Sequence, residues 1–293
     1  MSLTADEIAS QPDLWRRAIA DTSQATDLLA APGEKVLVLG CGTSAFVAES
    51  FAYLRETAGL GVTDAAYASE PWIWRDWDRV IVISRSGTTS EVIEAMARIP
   101  AGVRTVAVTG VADSPVARAS DDVLLLDYAD ESSVVQTRFP TTFLIAARAA
   151  FGDDVSSLPD ALDAALQRAL PAEAASIDHV VYLGTGWVYG LAQEAALKIR
   201  EAAQAWSEAY PALDYRHGPL AVAHDGSLVW ILGAVSDADL ADDIRVTGAT
   251  VVTAPGDPLI ELVQAQRFAV AAAESRGLDP DNPRHLTRSV VLN

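Results

Sequence analysis

The chain has 293 residues, a formal net charge of −19 and a single cysteine, and half of its residues are hydrophobic. This length and apolar content predict one large or two ordinary globular domains and exclude a disordered chain. No apolar run is long enough to span a membrane, the start of the chain lacks a signal-peptide pattern, and the acidic charge opposes nucleic acid, so we expect a cytoplasmic protein that binds neither membranes nor nucleic acid.

The first predicted elements are helices, and units of a strand and a helix follow them. Thr4 and Glu7 have the spacing of a capping box, and Pro12 is suited to open a second helix that runs to Leu29. Apolar, β-branched runs then predict buried strands at 36–40, 79–84, 103–110 and 123–128. Because strands alternate with helical patterns, the sequence predicts a parallel sheet.

Two glycines follow the first strand. Gly40 and Gly42 permit a tight turn, which leaves Thr43 and Ser44 at the start of a helix. Backbone amides and hydroxyls at such a position suit a phosphate group, and a protein this acidic needs a local site of that kind to bind an anion. The same run also fits the Gly-x-Gly-x-x-Ala pattern of dinucleotide-binding folds, or a turn without any ligand.

A second polar turn follows the strand at 79–84. Five hydroxyl side chains lie within seven positions around Gly87, again at the predicted start of a helix. Capping a helix requires only one hydroxyl, so we favour ligand binding over capping alone. Turns after neighbouring parallel strands converge at the carboxyl edge of a sheet, where ligands bind. A nicotinamide fold would instead have an acidic residue about 20 residues after its glycines.

The second half of the chain repeats the first pattern of strand, turn and helix. The nineteen residues from Val180 match those from Val36 at six positions, which include the glycines at 184 and 186. A period of about half the chain predicts a duplicated lobe rather than a solenoid. A polar, Pro-containing stretch at 152–161 marks the boundary, and we predict domains at 1–155 and 156–293.

Three charged residues lie on one face of the predicted helix that follows Gly190. Glu194, Lys198 and Glu201 occupy positions i, i+4 and i+7. A solvated charge stripe is the usual explanation for this spacing, but the surrounding residues are rich in alanine and leucine, as in a buried helix. The chain has two lysines against nineteen arginines, which hints that a compact, titratable amine is required at 198.

His217 has the best catalytic context of the four histidines. It lies in an irregular Gly-Pro segment, and because imidazole exchanges a proton near neutral pH, it is suited to open a sugar ring. We interpret the other three as structural or surface residues, and their scatter predicts no metal site. The apolar segment from Ala205 to Tyr215 would be costly to leave in water, so we expect it to lie in an interface.

Six motifs, in order along the chain, resemble the sugar isomerase (SIS) family, most closely the isomerase half of glucosamine-6-phosphate synthase and the small amino-sugar-phosphate isomerases and deaminases. They are CGTS, SRSGTT, ESSVVQTRFPTTF, EAALKIRE, EAYPALDYRHGP and DNPRHLTRSV, beginning at residues 41, 84, 131, 194, 208 and 281. The resemblance covers nearly the whole chain. It implies an α/β fold with two SIS-type, flavodoxin-like lobes, each a parallel β-sheet sandwiched by helices.

The resemblance also implies roles for individual residues. Glu201 matches the carboxylate that shuttles a proton between C1 and C2 of the sugar, and Lys198 matches the helix lysine beside it. His217 matches a ring-opening histidine that comes from the partner subunit in relatives, so we expect a homodimer with shared active sites. Gln136 stands where the synthase has a serine near the sugar. The predicted ligands of the phosphate and the substrate are Gly42, Thr43, Ser44, Ser84, Arg85, Ser86, Thr89, Gln136, Glu194 and Arg288.

Two departures from the synthase narrow the expected activity. The chain lacks the glutaminase domain, and Arg288 replaces a substrate-binding lysine; arginine stays protonated and forms no imine. We therefore expect a cofactor-independent phosphosugar isomerase that moves a proton on a hexose or amino-hexose 6-phosphate through an enediol, and deamination stays open.

Two other classes of protein are the alternatives. A phosphosugar sensor needs neither Glu201 nor His217 and usually carries a DNA-binding module, of which the sequence shows no sign. A nicotinamide-dependent oxidoreductase is disfavoured by the six ordered motifs.

Overall fold

A computed structural model describes residues 2–253 and 256–292. Over these ranges, nine strands form two entirely parallel sheets of five and four strands, and helices flank both sheets. The predicted α/β class with parallel sheets is thereby confirmed. In the same ranges, no helix combines the length and the apolar composition needed to cross a bilayer.

The strands and the helices have the following bounds, each set in chain order. The strands are β1 (Val36–Gly40), β2 (Thr63–Tyr67), β3 (Arg79–Ile83), β4 (Arg104–Thr109), β5 (Asp122–Leu125), β6 (His179–Gly184), β7 (Trp206–Pro211), β8 (Ser227–Ile231) and β9 (Thr250–Thr253). The helices are α1 (Leu3–Ala9), α2 (Gln11–Ala20), α3 (Thr22–Ala25), α4 (Thr43–Thr57), α5 (Ser90–Met96), α6 (Pro115–Ala119), α7 (Arg138–Ala150), α8 (Leu158–Leu166), α9 (Val188–Ala203), α10 (Leu240–Arg245) and α11 (Pro258–Ser275).

The two sheets share a strand order. It is β2-β1-β3-β4-β5 in the larger sheet and β7-β6-β8-β9 in the smaller one. In each sheet the first strand in the chain lies between the second and the third, so the chain winds in both directions from it. The point where the direction reverses is where doubly wound α/β folds bind ligands, at the carboxyl ends of the strands.

The apolar runs of the central strands are continuous, rather than alternating with polar residues, because these strands are buried along their whole length. In β1, β3, β6 and β8 every residue is buried, because helices cover both faces of these sheets. Alternate side chains of one face join one apolar cluster in each sheet: Leu37, Leu39, Val80 and Val82 in the larger sheet, and Val181, Leu183, Val229 and Ile231 in the smaller.

The chain divides into two compact units. The first comprises residues 10–159 and 287–293, and the second comprises residues 1–9 and 160–286. The change of unit after residue 159 falls four residues beyond the end of the predicted first domain. Helix α1 and the C-terminal tail, however, each belong to the unit other than the one that their place in the chain suggested.

The first helices differ from the prediction in two ways. The capping box at Thr4 does not form, because α1 already begins at Leu3. The amide and the hydroxyl of Thr4 both donate instead to the carboxylate of Asp281, which is distant in the sequence. The predicted helix that ends at Leu29 is interrupted after α2, where the Thr22 hydroxyl bonds the Ile19 carbonyl.

Candidate functional site

The turn between β1 and α4 requires both of its glycines. A Cβ atom on Gly40 would lie 2.5 Å from the backbone carbon of Ser44, and Gly42 has a φ of +53°. This close approach sets the start of α4 against the end of β1. Thr43 and Ser44 begin the helix and are only 3% and 4% exposed. The predicted hydroxyls therefore lie at the positive end of a fifteen-residue helix, a position suited to an anion.

The loop that follows β3, residues 84–89, folds around its own hydroxyls. The Gly87 amide donates to Ser84 Oγ at 3.2 Å, and the Thr88 amide donates to Ser86 Oγ at 3.3 Å. Gly87 has a φ of +64°, and a Cβ atom there would lie 2.1 Å from a side-chain oxygen of the next loop. Glycine is therefore required to close this turn, which keeps Ser84 and Ser86 nearly buried.

The two turns lie at the same edge of one sheet. Strands β1 and β3 pair in parallel, with Leu39 opposite Val82, so their carboxyl ends are neighbours. The strand order reverses between them. The structure thus brings the two predicted polar turns together at the position where folds of this class bind ligands.

Arg85 is buried within the first unit, with 2% of its surface exposed. Its guanidinium donates to the Ser133 carbonyl through Nη1 and to the Arg288 carbonyl through Nη2, both at 2.9 Å. The Arg85 carbonyl in turn accepts from the Gly110 amide and the Thr109 hydroxyl. The residue therefore ties the loop after β3 to its surroundings, and a direct contact with phosphate stays a prediction.

Gln136 lies just before α7, beside a buried carboxylate. Glu131 accepts hydrogen bonds from the amides of Thr137 and Phe139, at 2.6 and 3.0 Å, and so satisfies the first turn of that helix. Gln136 Oε1 is buried and has no hydrogen-bond partner within the described residues. An acceptor in this state favours a ligand that brings a donor.

Arg288 is held by protein groups of the first unit. Its Nη1 donates to the Glu131 carbonyl, and its Nη2 contacts both carboxylate oxygens of Asp130, all at 2.6 Å. The sequence offered no sign of Asp130 as a partner, because the two residues are 158 positions apart.

The charged stripe of α9 forms an ion-pair triad in the second unit. Lys198 Nζ lies 2.5 Å from Glu201 Oε2 and 3.3 Å from Glu194 Oε1. The side chains of Lys198 and Glu194 are 1% and 0% exposed, whereas that of Glu201 is 19% exposed. The prediction that the three residues share one face is confirmed, and a solvated stripe is ruled out by the burial. Of the two carboxylates, Glu201 is the one that a small molecule can reach.

A neighbouring arginine adds to the charge of this helix. Arg200 donates to the Ser207 carbonyl at 2.9 Å. Burial lowers the pKa of the Arg200 guanidinium, and the carboxylates of Glu201 and Glu194 oppose that effect. The second unit therefore concentrates two cations and two carboxylates on adjacent turns of one helix.

His217 is exposed and follows the 3-10 helix Ala212–Arg216. Its amide bonds the Asp214 carbonyl at 2.9 Å, and Gly218, with a φ of +126°, turns the chain away behind it. Among the described residues the imidazole has no hydrogen-bond partner, and it makes no ion pair with a residue of α9. Trp206 and Leu213, in the apolar segment predicted to be an interface, are 70% and 44% exposed.

His179 takes part in an arrangement that the sequence did not reveal. Its ring nitrogens lie 3.0 Å from Ser227 Oγ and 3.2 Å from Glu208 Oε2. The order of serine, histidine and carboxylate resembles a hydrolase triad, but Ser227 is 0% exposed and also accepts the His224 amide. A nucleophile must be reached by its substrate, so these contacts instead join the beginnings of β6, β7 and β8.

Other features of the surface do not coincide with the predicted residues. A groove of about 480 Å³ runs beside α4 and β2 and is lined by Tyr53, Tyr67, Trp72 and several carboxylates, none of them a predicted site residue. Within 2–253 and 256–292, no cluster of histidine, cysteine, aspartate or glutamate side chains could hold a metal ion.

The comparison with family models identifies the first unit. Residues 29–151, which include β1 to β5 and both polar turns, match the model of the SIS domain. Residues 29–151 are thus similar to the SIS domain. The resemblance predicted from the six motifs is thereby confirmed.

Individual relatives of the SIS domain extend the similarity along the chain. The glutamine–fructose-6-phosphate aminotransferase [isomerizing] of Pyrobaculum aerophilum is 30% identical over 92% of this chain and 53% of its own length. The chain spans about half the length of the curated relatives it matches.

Two solved structures match this chain over nearly its whole length. Glucosamine-6-phosphate deaminase from Thermotoga maritima has a TM-score of 0.86 and 28% identity, covering 99% of this chain and 100% of its own. Tagatose-6-phosphate ketose/aldose isomerase from Escherichia coli, at 20% identity and a TM-score of 0.78, covers 99% of this chain and 96% of its own and shares the fold.

Proposed function

We propose that this protein is a phosphosugar isomerase that moves a proton between C1 and C2 of a hexose or amino-hexose 6-phosphate. One observation carries the proposal: a buried lysine lies 2.5 Å from a partly exposed carboxylate on α9. Such a pair suits proton transfer beside a developing oxyanion. The SIS domain over residues 29–151 supports a phosphosugar as the ligand.

In this proposal the first unit binds the phosphate. The hydroxyls of Thr43, Ser44, Ser84, Ser86 and Thr89 and the amides of their two turns would surround it, because they lie at adjoining ends of β1 and β3. The chain has a net charge of −19, so the long-range field opposes an anion. Local donors at a helix start must therefore supply the affinity.

The second unit would carry out the chemistry. His217 would open the sugar ring by moving a proton between the C1 hydroxyl and the ring oxygen. Glu201 would then take the C2 proton and return it to C1 through a cis-enediol, and Lys198 would stabilise the charge that develops on oxygen. Glu194, which is fully buried and lies 3.3 Å from Lys198, would hold the lysine in place.

We also propose two SIS-type, flavodoxin-like lobes and a homodimer in which His217 of one protomer completes the site of the other. The exposed imidazole without an internal partner and the exposed Trp206 and Leu213 support this assembly. An apolar segment of this size is costly in water, and two-fold symmetry would create two equivalent shared sites.

Deamination is the second candidate, and the deaminase from Thermotoga maritima favours it. The same proton transfer on an open-chain 2-amino aldose gives an enolamine, which reprotonation at C1 converts to a 2-imine. Water then adds to the imine, and the C–N bond breaks to release ammonia and a ketose phosphate. The two activities share Glu201 and differ in the atom at C2.

Calorimetric titration with a turnover assay tests the proposal. The ligands are glucosamine 6-phosphate, fructose 6-phosphate, their unphosphorylated forms and inorganic phosphate. We expect binding of the sugar phosphates, much weaker binding of the free sugars, and interconversion or ammonia release on incubation. Tight binding without any turnover would identify a sensor. Absence of binding by every phosphorylated hexose would contradict the proposed function.

A further inference from the structure

The C-terminal tail is fixed to the first unit by its own arginine. Arg288 contacts both carboxylate oxygens of Asp130 at 2.6 Å and also donates to the Glu131 carbonyl. The side chains of Arg288 and Asp130 are 40% and 27% exposed. A surface ion pair contributes little on its own, but here Nη2 contacts Asp130 while Nη1 donates to the Glu131 carbonyl, and two separate nitrogens fix the geometry as well as the charge. Protein groups alone therefore supply hydrogen-bond acceptors to the Arg288 guanidinium.

The residues after Arg288 contact the loop after β3 and the start of α5. Ser289 Oγ lies 2.9 Å from Thr88 Oγ1, which lies 3.0 Å from Ser86 Oγ. The Ser90 amide donates to the Val290 carbonyl at 3.1 Å. A chain of hydroxyls therefore joins the tail to Ser86.

Two further hydrogen bonds join the tail to the same loop and to the start of α5. The Leu292 amide donates to Ser90 Oγ at 2.9 Å, and Arg85, which lies between Ser84 and Ser86, donates to the Arg288 carbonyl. Four hydrogen bonds therefore join the tail to residues 85, 88 and 90.

We infer that Arg288 and Asp130 are positioning residues for the phosphate loop: their ion pair holds the tail against residues 84–90 and so sets the hydroxyls that receive the phosphate. This inference rests on the proposed function. It assigns Arg288 a role other than that of a direct substrate ligand, and it adds Asp130 and Ser289 to the residues on which affinity depends. Because the ion pair belongs to the first unit and the proposed proton-transfer residues belong to the second, we expect it to act on phosphate affinity and not on the proton transfer.

Two single variants, Arg288→Gln and Asp130→Asn, their double variant and Arg288→Lys test this inference. The matched control is Arg75→Gln, which breaks another exposed 2.6 Å ion pair, with Asp64, in the same unit. Hydrogen exchange by mass spectrometry on the ligand-free protein reports on peptides that contain residues 84–96. Titration with inorganic phosphate and glucosamine 6-phosphate, together with steady-state kinetics, reports on function.

We expect both single variants to exchange faster at residues 84–96 and to bind both phosphates about 3- to 10-fold more weakly, with kcat within about twofold of wild type. The double variant should be no worse than either single one, because both remove the same contact. Arg288→Lys should recover part of the affinity, since it keeps the charge but cannot bond Asp130 and the Glu131 carbonyl through two separate nitrogens. Arg75→Gln should leave loop exchange and affinity unchanged.

Two results would overturn the inference. Unchanged loop exchange in both single variants would show that the ion pair does not hold the loop. If Arg288→Gln weakened binding while Asp130→Asn did not, Arg288 would act directly on the ligand. A wild-type protein that binds no phosphorylated hexose would contradict the proposed function instead, and the exchange data would still decide whether the ion pair anchors the tail.

Discussion

The turns β1–α4 and β6–α9 have nearly the same backbone but present different chemistry. Gly42 and Gly186 have φ values of +53° and +61°, and a Cβ atom on Gly40 or Gly184 would lie 2.5 or 2.4 Å from the backbone of the following helix. Both halves of the sequence therefore require glycine at these positions for the same steric reason, because a helix approaches a strand closely in each turn.

The residues after the glycines separate the two units. Thr43 and Ser44 give the first turn buried hydroxyls, whereas Trp187 and Val188 occupy the same positions in the second. The second unit has its charges farther along its helix, centred on Lys198, ten residues after Val188. Duplication of a turn thus preserves the backbone while the site chemistry diverges, and in our proposal one unit binds and the other reacts.

The largest expected effect distinguishes reaction from binding. Glu201→Gln should lower kcat by about 10²–10⁴-fold and leave the Kd of the sugar phosphate nearly unchanged, because the amide is close in shape but does not accept the proton. Steady-state kinetics and calorimetry measure the two quantities. Glu274→Gln, on the exposed end of α11, is the control. Wild-type turnover in Glu201→Gln would move the role to another residue, with Glu194 the next candidate.

Subunit exchange tests whether the reacting groups come from two protomers. Inactive Glu201→Gln and inactive His217→Asn homodimers are mixed. Random pairing gives about half heterodimers, each with one intact site, so activity should return to about a quarter of wild type.

The control for subunit exchange mixes Glu201→Gln with Lys198→Met. Both residues lie on α9 of the same protomer, so no site is restored and activity should stay absent. If mass spectrometry confirms exchange and the first mixture stays inactive, Glu201 and His217 do not combine across an interface.

Substitution of the glycines tests most directly whether the two turns share one geometry. Gly40→Ala and Gly184→Ala should each lower the free energy of unfolding by about 1–3 kcal/mol or more, because the new methyl group meets backbone atoms that cannot move aside. Gly102→Ala has open space and a φ of +95°, and so measures the backbone cost alone. Chemical denaturation followed by circular dichroism supplies the values. A neutral effect at one position would refute the shared geometry.

A smaller effect is expected at the hydroxyls of the first unit. Ser84→Ala and Ser86→Ala should each weaken sugar-phosphate binding by about 1–2 kcal/mol, roughly 5- to 30-fold, while kcat changes little. Ser120→Ala, which removes a hydroxyl bonded to the Val116 carbonyl in the same unit, should leave affinity unchanged. Unchanged affinity with a lowered melting temperature would show that these serines only build the loop.

Local patterns in the sequence predicted the parts of this molecule that local physics determines. The apolar runs indicated β1, β3, β4 and β6, and the i, i+4, i+7 spacing indicated the triad of α9, because burial and helix geometry act over a few residues. Contacts across long sequence distances were not predictable in this way. Asp130 and Arg288 are 158 residues apart, and α1 depends on Asp281, so neither the tail nor the first helix could be assigned to its unit from a pattern.

Composition left the edge strand β2 unpredicted, although β5, at the other edge of the same sheet, was predicted at 123–128. β2 carries polar and small residues, and only two of its five residues are buried, so its sequence lacks the continuous apolar run of a central strand. Its place in the sheet follows from pairing with β1, a contact that the sequence alone does not display. The role of His217 is likewise a matter of assembly, since its surroundings within one chain do not explain it.

Solvent proton exchange tests the central claim most directly. The wild-type protein is incubated in D₂O with fructose 6-phosphate, glucosamine 6-phosphate, galactosamine 6-phosphate and the N-acetyl forms of the two amino sugars, and proton NMR follows C1 and C2. We expect deuterium to enter C1 or C2 of at least one phosphorylated sugar, and we expect this exchange to be lost in Glu201→Gln. Binding of a sugar phosphate without deuterium at either carbon would contradict the proposed proton transfer.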